Sequence, residues 1–429
     1  MSPPTSSLVT ERADIVVVGA GAAGLMAGIW AARTAPGMRV IMLDGARKLG
    51  AKILVAGGGR CNVTHETVRA EDFNGSSRPA IRKVLSRFPV ASTIELFAEG
   101  GVELKREETG KLFPVTDDAS TVLRALLEAA AGAGVLIRHP RRVRSVSREG
   151  EGLRVSGDWG NIEAARVILA TGGKSLPKSG SDGSGYAIAE TLGHTSTPDI
   201  FPALVPLLLP HGHALRALSG LSAPVKLTVR SASHRPITAC NGSLLCTHLG
   251  VSGPAVLDVS RHFLAARIQD PGAELVCDWM PGVTMEALDS VLRAPGSGTV
   301  AGRLRRHLSE RLASTVCEES GVAPDTQASR LARDDRKQLV LGAKEMVLPI
   351  TGDRGWAHAE VTAGGIPLAQ LNLSTMESRV CPGLHLCGEI CDVDGRIGGF
   401  NFQWAWASGY VAGQGAARSA GSRQTRSIA

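Results

Sequence analysis

The sequence predicts an α/β chain of 429 residues in which one parallel-sheet domain is split in two by an inserted unit of different texture. Three observations predict it. A strand, a glycine-rich turn, a helix and a second strand follow one another over residues 14–44. Short Pro-punctuated Leu/Val segments replace that texture from about 196, and the glycine-rich style returns after about 343. The length exceeds what one compact core usually holds, so two or three units are expected. With 43% hydrophobic residues, 20% charged residues and 51 Gly, the composition is that of a globular protein.

Taken in order, residues 1–12 are Pro/Ser/Thr-rich and read as a loose leader. The continuous apolar run 14–18 suits a parallel strand buried on both faces. The turn GAGAAG (19–24) opens an apolar helix, 22–35, which Pro36-Gly37 stops; a second buried strand, 39–43, ends in Asp44. Ser120 reads as the N-cap of a helix over 121–131, with Gly132 and Gly134 as stop signals before a strand at 135–138. Strands are expected at 142–148, 153–157 and 162–170, then a turn-rich loop (174–185) and a helix at 186–192. Residues 1–195 thus form the first part of the split domain.

The inserted unit spans 196–343. FPALVPLLLP and APVKLTVRS read as β structure, and helices are expected between about 284 and 335. Within them, 299–318 reads as one amphipathic helix, with Val300, Leu304, Leu308, Leu312 and Val316 opposed to Arg303, Arg305, Arg306 and Arg311. Residues 344–429 return to the first domain with a strand at 383–389, an apolar helix at 402–417 and, from Arg418, a tail expected to be disordered.

Gly19, Gly21 and Gly24 have the spacing for a tight strand-to-helix turn, close approach to a pyrophosphate and close packing of helix on strand. The phosphates would sit on the helix N-terminus at Ala22 and Ala23. Asp44 is placed to accept the hydroxyls of the adenosine ribose. ILATGG (168–173), with Thr171, Gly172 and Gly173, resembles the strand beside the cofactor in two-dinucleotide-fold flavoproteins. PGLHLCGEI (382–390), with Gly388 and Glu389, resembles their later cofactor-facing strand. These segments favour FAD over nicotinamide as the resident dinucleotide. Gly398, Gly399 and Asn401 then start a helix whose N–H groups are expected at the flavin O2 edge, where they would stabilise a reduced ring.

Together with KLGAKILVAGGGRCNVTH (48–65), LFPVTDDASTVL (112–123), THLGVSGPAVLDVSR (247–261), EVTAGGI (360–366) and CGEICDVDGRIGGFNFQWAWASGYVAG (387–413), these motifs resemble the bacterial BaiN / aminoacetone-oxidase-like family of FAD-dependent oxidoreductases over nearly the whole chain. The resemblance implies a split two-dinucleotide-binding (Rossmann-like) FAD domain with an inserted β-barrel plus helical domain, and a cytoplasmic protein acting on a small molecule. It adds Lys52, Gly58, Gly59, Arg60, Cys61, Asn62, Val143, Asp394 and Phe402 to the expected cofactor contacts. Arg60, Asn62, His248 and Glu360 are its candidate catalytic residues.

The chemistry expected is hydride transfer between a small organic substrate and flavin, with NAD(P)H or O2 as second redox partner and reduction favoured over oxidation. A second GxGxxG after a strand is missing, so NAD(P)H would visit the flavin transiently. Cys61 reads as a packing or cofactor-contact thiol. Cys387 and Cys391 are four apart, wider than the usual redox pair, and read as buried bystanders. His211 and His213 lack a neighbouring acid, and no metal is expected. Trp404 and Trp406 are expected to pack.

The eight cysteines form no CxxC pair, consistent with a reduced compartment. No signal peptide and no run of 18 apolar residues is present, so no membrane partner is expected. The net charge of +7 lies in groups at 138–144, 303–306, 330–337 and 418–426 without interleaved aromatics, and reads as a basic surface rather than a nucleic-acid site. An RNA-modifying flavoprotein is the rival that this charge favours and the lack of an RNA-binding appendage opposes. A flavin-binding sensor without turnover is a second rival. The sequence carries no signal of oligomeric state.

Overall fold

The computed structural model describes residues 11–428. The chain forms two units, one holding the chain up to Phe201 and from Val361 onward, the other Pro202–Glu360.

The first unit is built on a sheet whose five central strands are parallel, in the order Leu136–Arg138, Val40–Leu43, Glu11–Val18, Gly160–Leu169, Leu384–Leu386. Strand Glu11–Val18 begins within the expected leader, whose remaining residues lie outside those described. Its apolar end is buried throughout because it is flanked on both sides, Val18 standing opposite Leu43 and Leu169. Antiparallel strands Ser145–Glu149 and Gly152–Gly157 extend the sheet beside Gly160–Leu169, and Leu371–Asn372 and Glu377–Ser378 extend its other edge. Helix Ala119–Gly132 is capped by Asp118, not Ser120: the Asp118 carboxylate accepts the Ser120 N–H at 2.8 Å.

The helix after the glycine turn, Ala22–Thr34, packs along a long helix, Phe400–Ile428. Small residues permit the approach: a Cβ on Gly409 would lie 2.5 Å from the Ala23 carbonyl oxygen, and one on Gly413 2.3 Å from that of Ala27. The tail expected to be disordered from Arg418 is therefore a continuation of this helix, tied at Ser419 to the buried Arg166, whose Nε donates to the hydroxyl at 2.8 Å.

His385 lies fully buried on an inner strand. Its Nδ1 donates to the Thr375 carbonyl at 2.9 Å, which leaves Nε2 unprotonated and without a partner. Burial pushes the imidazole pKa down from 6.5 to about 4. The unfolded chain therefore binds a proton between these values that the fold refuses, so the contribution is whole above 6.5 and is lost as pH falls to 4. Urea titrations should show roughly 3 kcal/mol of stability lost across that window, and His385→Gln should flatten it.

The inserted unit is a seven-stranded antiparallel sheet in the order Met346–Leu348, Glu274–Asp278, Ser222–Arg230, Pro236–Thr247, Gly250–Ser252, Leu207–Leu208, Gly352–Asp353. Its two edge strands are consecutive in the chain, so residues 349–351 draw the edges together and curl the sheet without a closing ladder. Both edges lie beyond 343, which is why the unit runs on to Glu360. Helix Pro254–Gln269 covers the sheet through Val256, Val259 and Phe263.

The single helix expected over 299–318 is instead two, Val300–Leu304 and Glu310–Glu319, with a break before Ser309. Arg303, placed on the polar side by the helical period, is buried and caps helix Met285–Arg293 by donating to the carbonyls of Val291 and Leu292. Among the described residues, no helix is long and apolar enough to cross a membrane.

Candidate cofactor and active site

The glycine turn is shaped by collisions that any side chain would bring. Gly19 has φ 103°, and a Cβ there would lie 2.4 Å from the Ala170 carbonyl oxygen. A Cβ on Gly24 would lie 1.9 Å from the Gly19 oxygen. Gly21 is different: nothing stands within 4 Å of its missing Cβ, so open space faces the start of helix Ala22–Thr34. That end has no capping side chain and no acidic residue in its first turn. Its N–H groups lack intrahelical acceptors and carry the positive end of the helix dipole.

Asp44 takes the N–H of Ala20 on one carboxylate oxygen and that of Ala46 on the other, each at 2.7 Å. It thereby braces the turn, and each oxygen keeps a lone pair for a ribose hydroxyl. The uncapped amides, the open space at Gly21 and the braced acid fit a dinucleotide pyrophosphate and its adenosine.

Lys52 and Glu389, both expected to meet the cofactor, pair with each other. Lys52 Nζ donates to Glu389 Oε2 at 2.6 Å, to Ser175 Oγ at 2.7 Å and to Ser181 Oγ at 3.2 Å. These use all three ammonium protons. Glu389 Oε1 accepts from Ser175 Oγ, Thr362 N–H and Thr362 Oγ1 at 2.6, 3.0 and 2.8 Å. Gly173 is required here, since its Cβ would lie 2.3 Å from Thr362 Oγ1.

The cluster joins helix Ala51–Gly59, the 173–183 loop and the turn Gly388–Ile390. The Thr171 hydroxyl is buried without a partner, Gly172 is left-handed at φ 73°, and Val143 is buried in the core. Ser175, Ser181 and Thr362 escape sequence reasoning because they converge from distant segments, and only their place inside recognised motifs marks them.

Helix Ala51–Gly59 departs from helical geometry at Ala56, and Gly57 and Gly58 are left-handed. The N–H groups of Arg60 and Cys61 both fold back onto the Ala56 carbonyl. Arg60 does not present a free guanidinium for an anionic substrate: it donates to Glu107 at 2.6 Å, lies 3.6 Å from Asp117 and rests over the Phe113 ring.

Cys61 is fully buried and its thiol is pushed up to about 12 by burial, so it is no thiolate near neutral pH. Burial likewise raises the thiols of Cys387 and Cys391. Asn62 is oriented to donate to the Thr64 carbonyl at 2.9 Å and to accept the Gly399 N–H at 3.1 Å. The Gly399 amide, expected at the flavin edge, thus donates to Asn62.

Asn401 bonds both backbone groups of Gly395, at 2.8 and 2.9 Å, and so fixes the loop containing Gly398. Asp394 is buried opposite Asn74 in the pairing of Phe73–Gly75 with Val393–Gly395. Phe402 stacks on Trp406 at 5.4 Å, and Phe400 on His65 at 4.9 Å. The Trp404 and Trp406 indoles donate to the carbonyls of Gly388 and Val63.

Gln403, unmarked in the sequence reading, accepts from Thr64 and Thr93 at 2.7 and 2.9 Å and donates to Phe88 O, wholly buried. His248 and Glu360 are exposed residues of the inserted unit, and the half-buried Arg216 donates to the His248 carbonyl at 2.8 Å. His213 caps the short helix Ala214–Ala217 and lies 3.9 Å from Glu319.

The parallel sheet, the uncapped turn and Asp44 define a Rossmann-like FAD-binding domain. Residues 13–415 match the family described as HI0933-like protein Rossmann domain, and the chain belongs to this family of FAD-dependent oxidoreductases. It is 33% identical over 407 residues to a 3-dehydro-bile acid delta(4,6)-reductase of Clostridium scindens, covering 94% of this chain and 98% of that one. It is 32% identical over 407 residues, with the same coverage, to a ribosomal RNA dihydrouridine synthase of Escherichia coli. A solved 3-ketosteroid delta1-dehydrogenase from Sterolibacterium denitrificans aligns with a TM-score of 0.51 at 13% identity, covering 96% of this chain and 100% of that one, a likeness of fold.

Proposed function

We propose that the protein uses FAD, reduced by NAD(P)H, to saturate a C=C bond conjugated with a carbonyl, a hydride going to one carbon and a solvent-derived proton to the other. The observation that carries this reading is a bond change shared by the relatives' names. A delta(4,6)-reductase and a dihydrouridine synthase act on unlike molecules, yet each name describes saturation of a ring C=C. Bound FAD supplies a ring that accepts a hydride from one partner and yields it to another.

This chain's residues do the rest. The amides of Gly21 to Gly24 hold the pyrophosphate, Asp44 holds the ribose, and helix Phe400–Ile428 directs its positive end toward segment 398–401. The buried thiols of Cys61, Cys387 and Cys391 stay protonated, which supports direct hydride delivery over a thiol relay. A small enone satisfies this chemistry. So does a uridine ring in RNA, a second reading that the basic face of helix Arg78–Leu85 favours.

The test is the visible spectrum of the flavoprotein under anaerobic titration. NADH or NADPH should bleach it, and an enone or uridine-containing RNA should then restore the colour without O2. Bleaching by amines and not by nicotinamides would overturn the reading in favour of an oxidase.

A further inference from the structure

Helix Arg78–Leu85 carries charge for which the flavin site has no use. Its apolar side, Ile81, Val84 and Leu85, is buried, while Arg78, Arg82 and Lys83 are exposed, as is Arg87 just beyond its end. Arg78 and Arg82 are four residues apart, as are Lys83 and Arg87, so the outward face presents two short rows of cations.

No acidic residue occurs between Phe73 and Ile94. Arg82 pairs with Glu71 at 2.8 Å; among the described residues, no ion pair engages Arg78, Lys83 or Arg87. Like charges gathered this closely repel one another and attract a polyanion.

The face is tied to the flavin motif. The strand preceding it, Phe73–Gly75, pairs with Val393–Gly395, and the Ser76 N–H donates to the Asp392 carbonyl at 2.8 Å. The Ser76 hydroxyl donates to the Asp392 carboxylate at 3.3 Å. Arg396, half exposed and 3.5 Å from Asp72, adds a further cation beside the same strand.

We propose that the Arg78, Arg82, Lys83 and Arg87 face grips the phosphate backbone of a folded RNA, an assignment that rests on the reading that the site reduces a conjugated C=C bond, here that of a uridine ring. Guanidinium groups bind phosphate oxygens in pairs, and the exposed Ser77 and Ser86 flank them with further donors. The helix exposes no large apolar side chain, which a membrane-surface helix would need. Phosphate contacts fix position without reading sequence. Choice of base therefore falls to the flavin site, which a uridine reaches only by leaving its stack.

The experiment uses full-length flavoprotein and a fluorescein-labelled ribosomal RNA hairpin, followed by anisotropy over a KCl series. For the triple variant Arg78→Ala, Lys83→Ala, Arg87→Ala, affinity should fall about 10- to 100-fold near physiological salt. The slope of log affinity against log salt should become shallower by roughly 2 to 3. A control triple in the inserted unit, Arg330→Ala, Arg333→Ala, Lys337→Ala, should stay within about 2-fold of the parent. Both variants should keep bound flavin, melting midpoint and nicotinamide bleaching.

Unchanged RNA affinity and slope in the first triple would overturn the proposal, as would an equal loss in the control. So would loss of binding to phosphatidylserine vesicles with RNA binding intact. Helix-dependent RNA binding without reoxidation of reduced flavin by RNA would sustain the docking face and sink only the uridine reading.

Discussion

Gly24→Ala is expected to lose both fold stability and flavin, whereas Gly21→Ala is expected to keep its fold and lose flavin alone. The two positions lie three residues apart in one turn and differ in what surrounds the missing Cβ. At Gly24 the added carbon meets the Gly19 carbonyl oxygen at 1.9 Å, a backbone atom held by the strand before it. Relief requires the helix to move off the sheet, a cost of about 3 kcal/mol or more. At Gly21 no atom lies within 4 Å and φ is −80°, so alanine is accommodated. Its methyl group then fills the space a pyrophosphate needs, and flavin affinity should drop about 100-fold. Urea unfolding and flavin fluorescence quenching separate the outcomes. Equal stability loss in both variants would mean that the turn is a packing device alone.

The second large effect concerns Lys52. Lys52→Met leaves the Glu389 carboxylate, whose side chain is 18% exposed, without its cation. Removing one partner of a fully buried pair costs more, and solvent reaching this one lowers the expected loss to about 2 kcal/mol. Glu389→Gln should cost a similar amount by stranding the ammonium. The double variant should recover most of the loss, because neither charge then lacks a counterpart. Additive losses in the urea midpoint would show that the two charges do not stabilise the fold through each other.

What the sequence displayed was whatever depends on neighbours in the chain. The spacing of Gly19, Gly21 and Gly24 and the acid closing the next strand are local, and the structure assembles them as a cradle. Long-range pairing was not visible. The partners of Arg60, Glu107 and Asp117, lie 47 and 57 residues on and carry no local signal that marks them. The bond that orients Asn62, from the Gly399 N–H, comes from far along the chain and has no local signature.

The break before Ser309 was hidden because the apolar period continues through it: Leu308 and Leu312 are both buried although they lie on either side. The basic face of helix Arg78–Leu85 is inconspicuous in the sequence for a related reason. Its cations are spaced by the helical period rather than run together, and the absence of intervening acids shows only when the segment is laid on a helix.

The packing of Ala22–Thr34 against Phe400–Ile428 also orders events in time. The two helices are made at widely separated moments of translation, and the first is almost wholly buried only once the second covers it. A nascent chain therefore carries a greasy, uncovered helix while the rest of the sheet and the whole inserted unit emerge. A chain cut short before residue 400 would leave its nucleotide-binding helix uncovered, an apolar surface of the kind on which chaperones and proteases act.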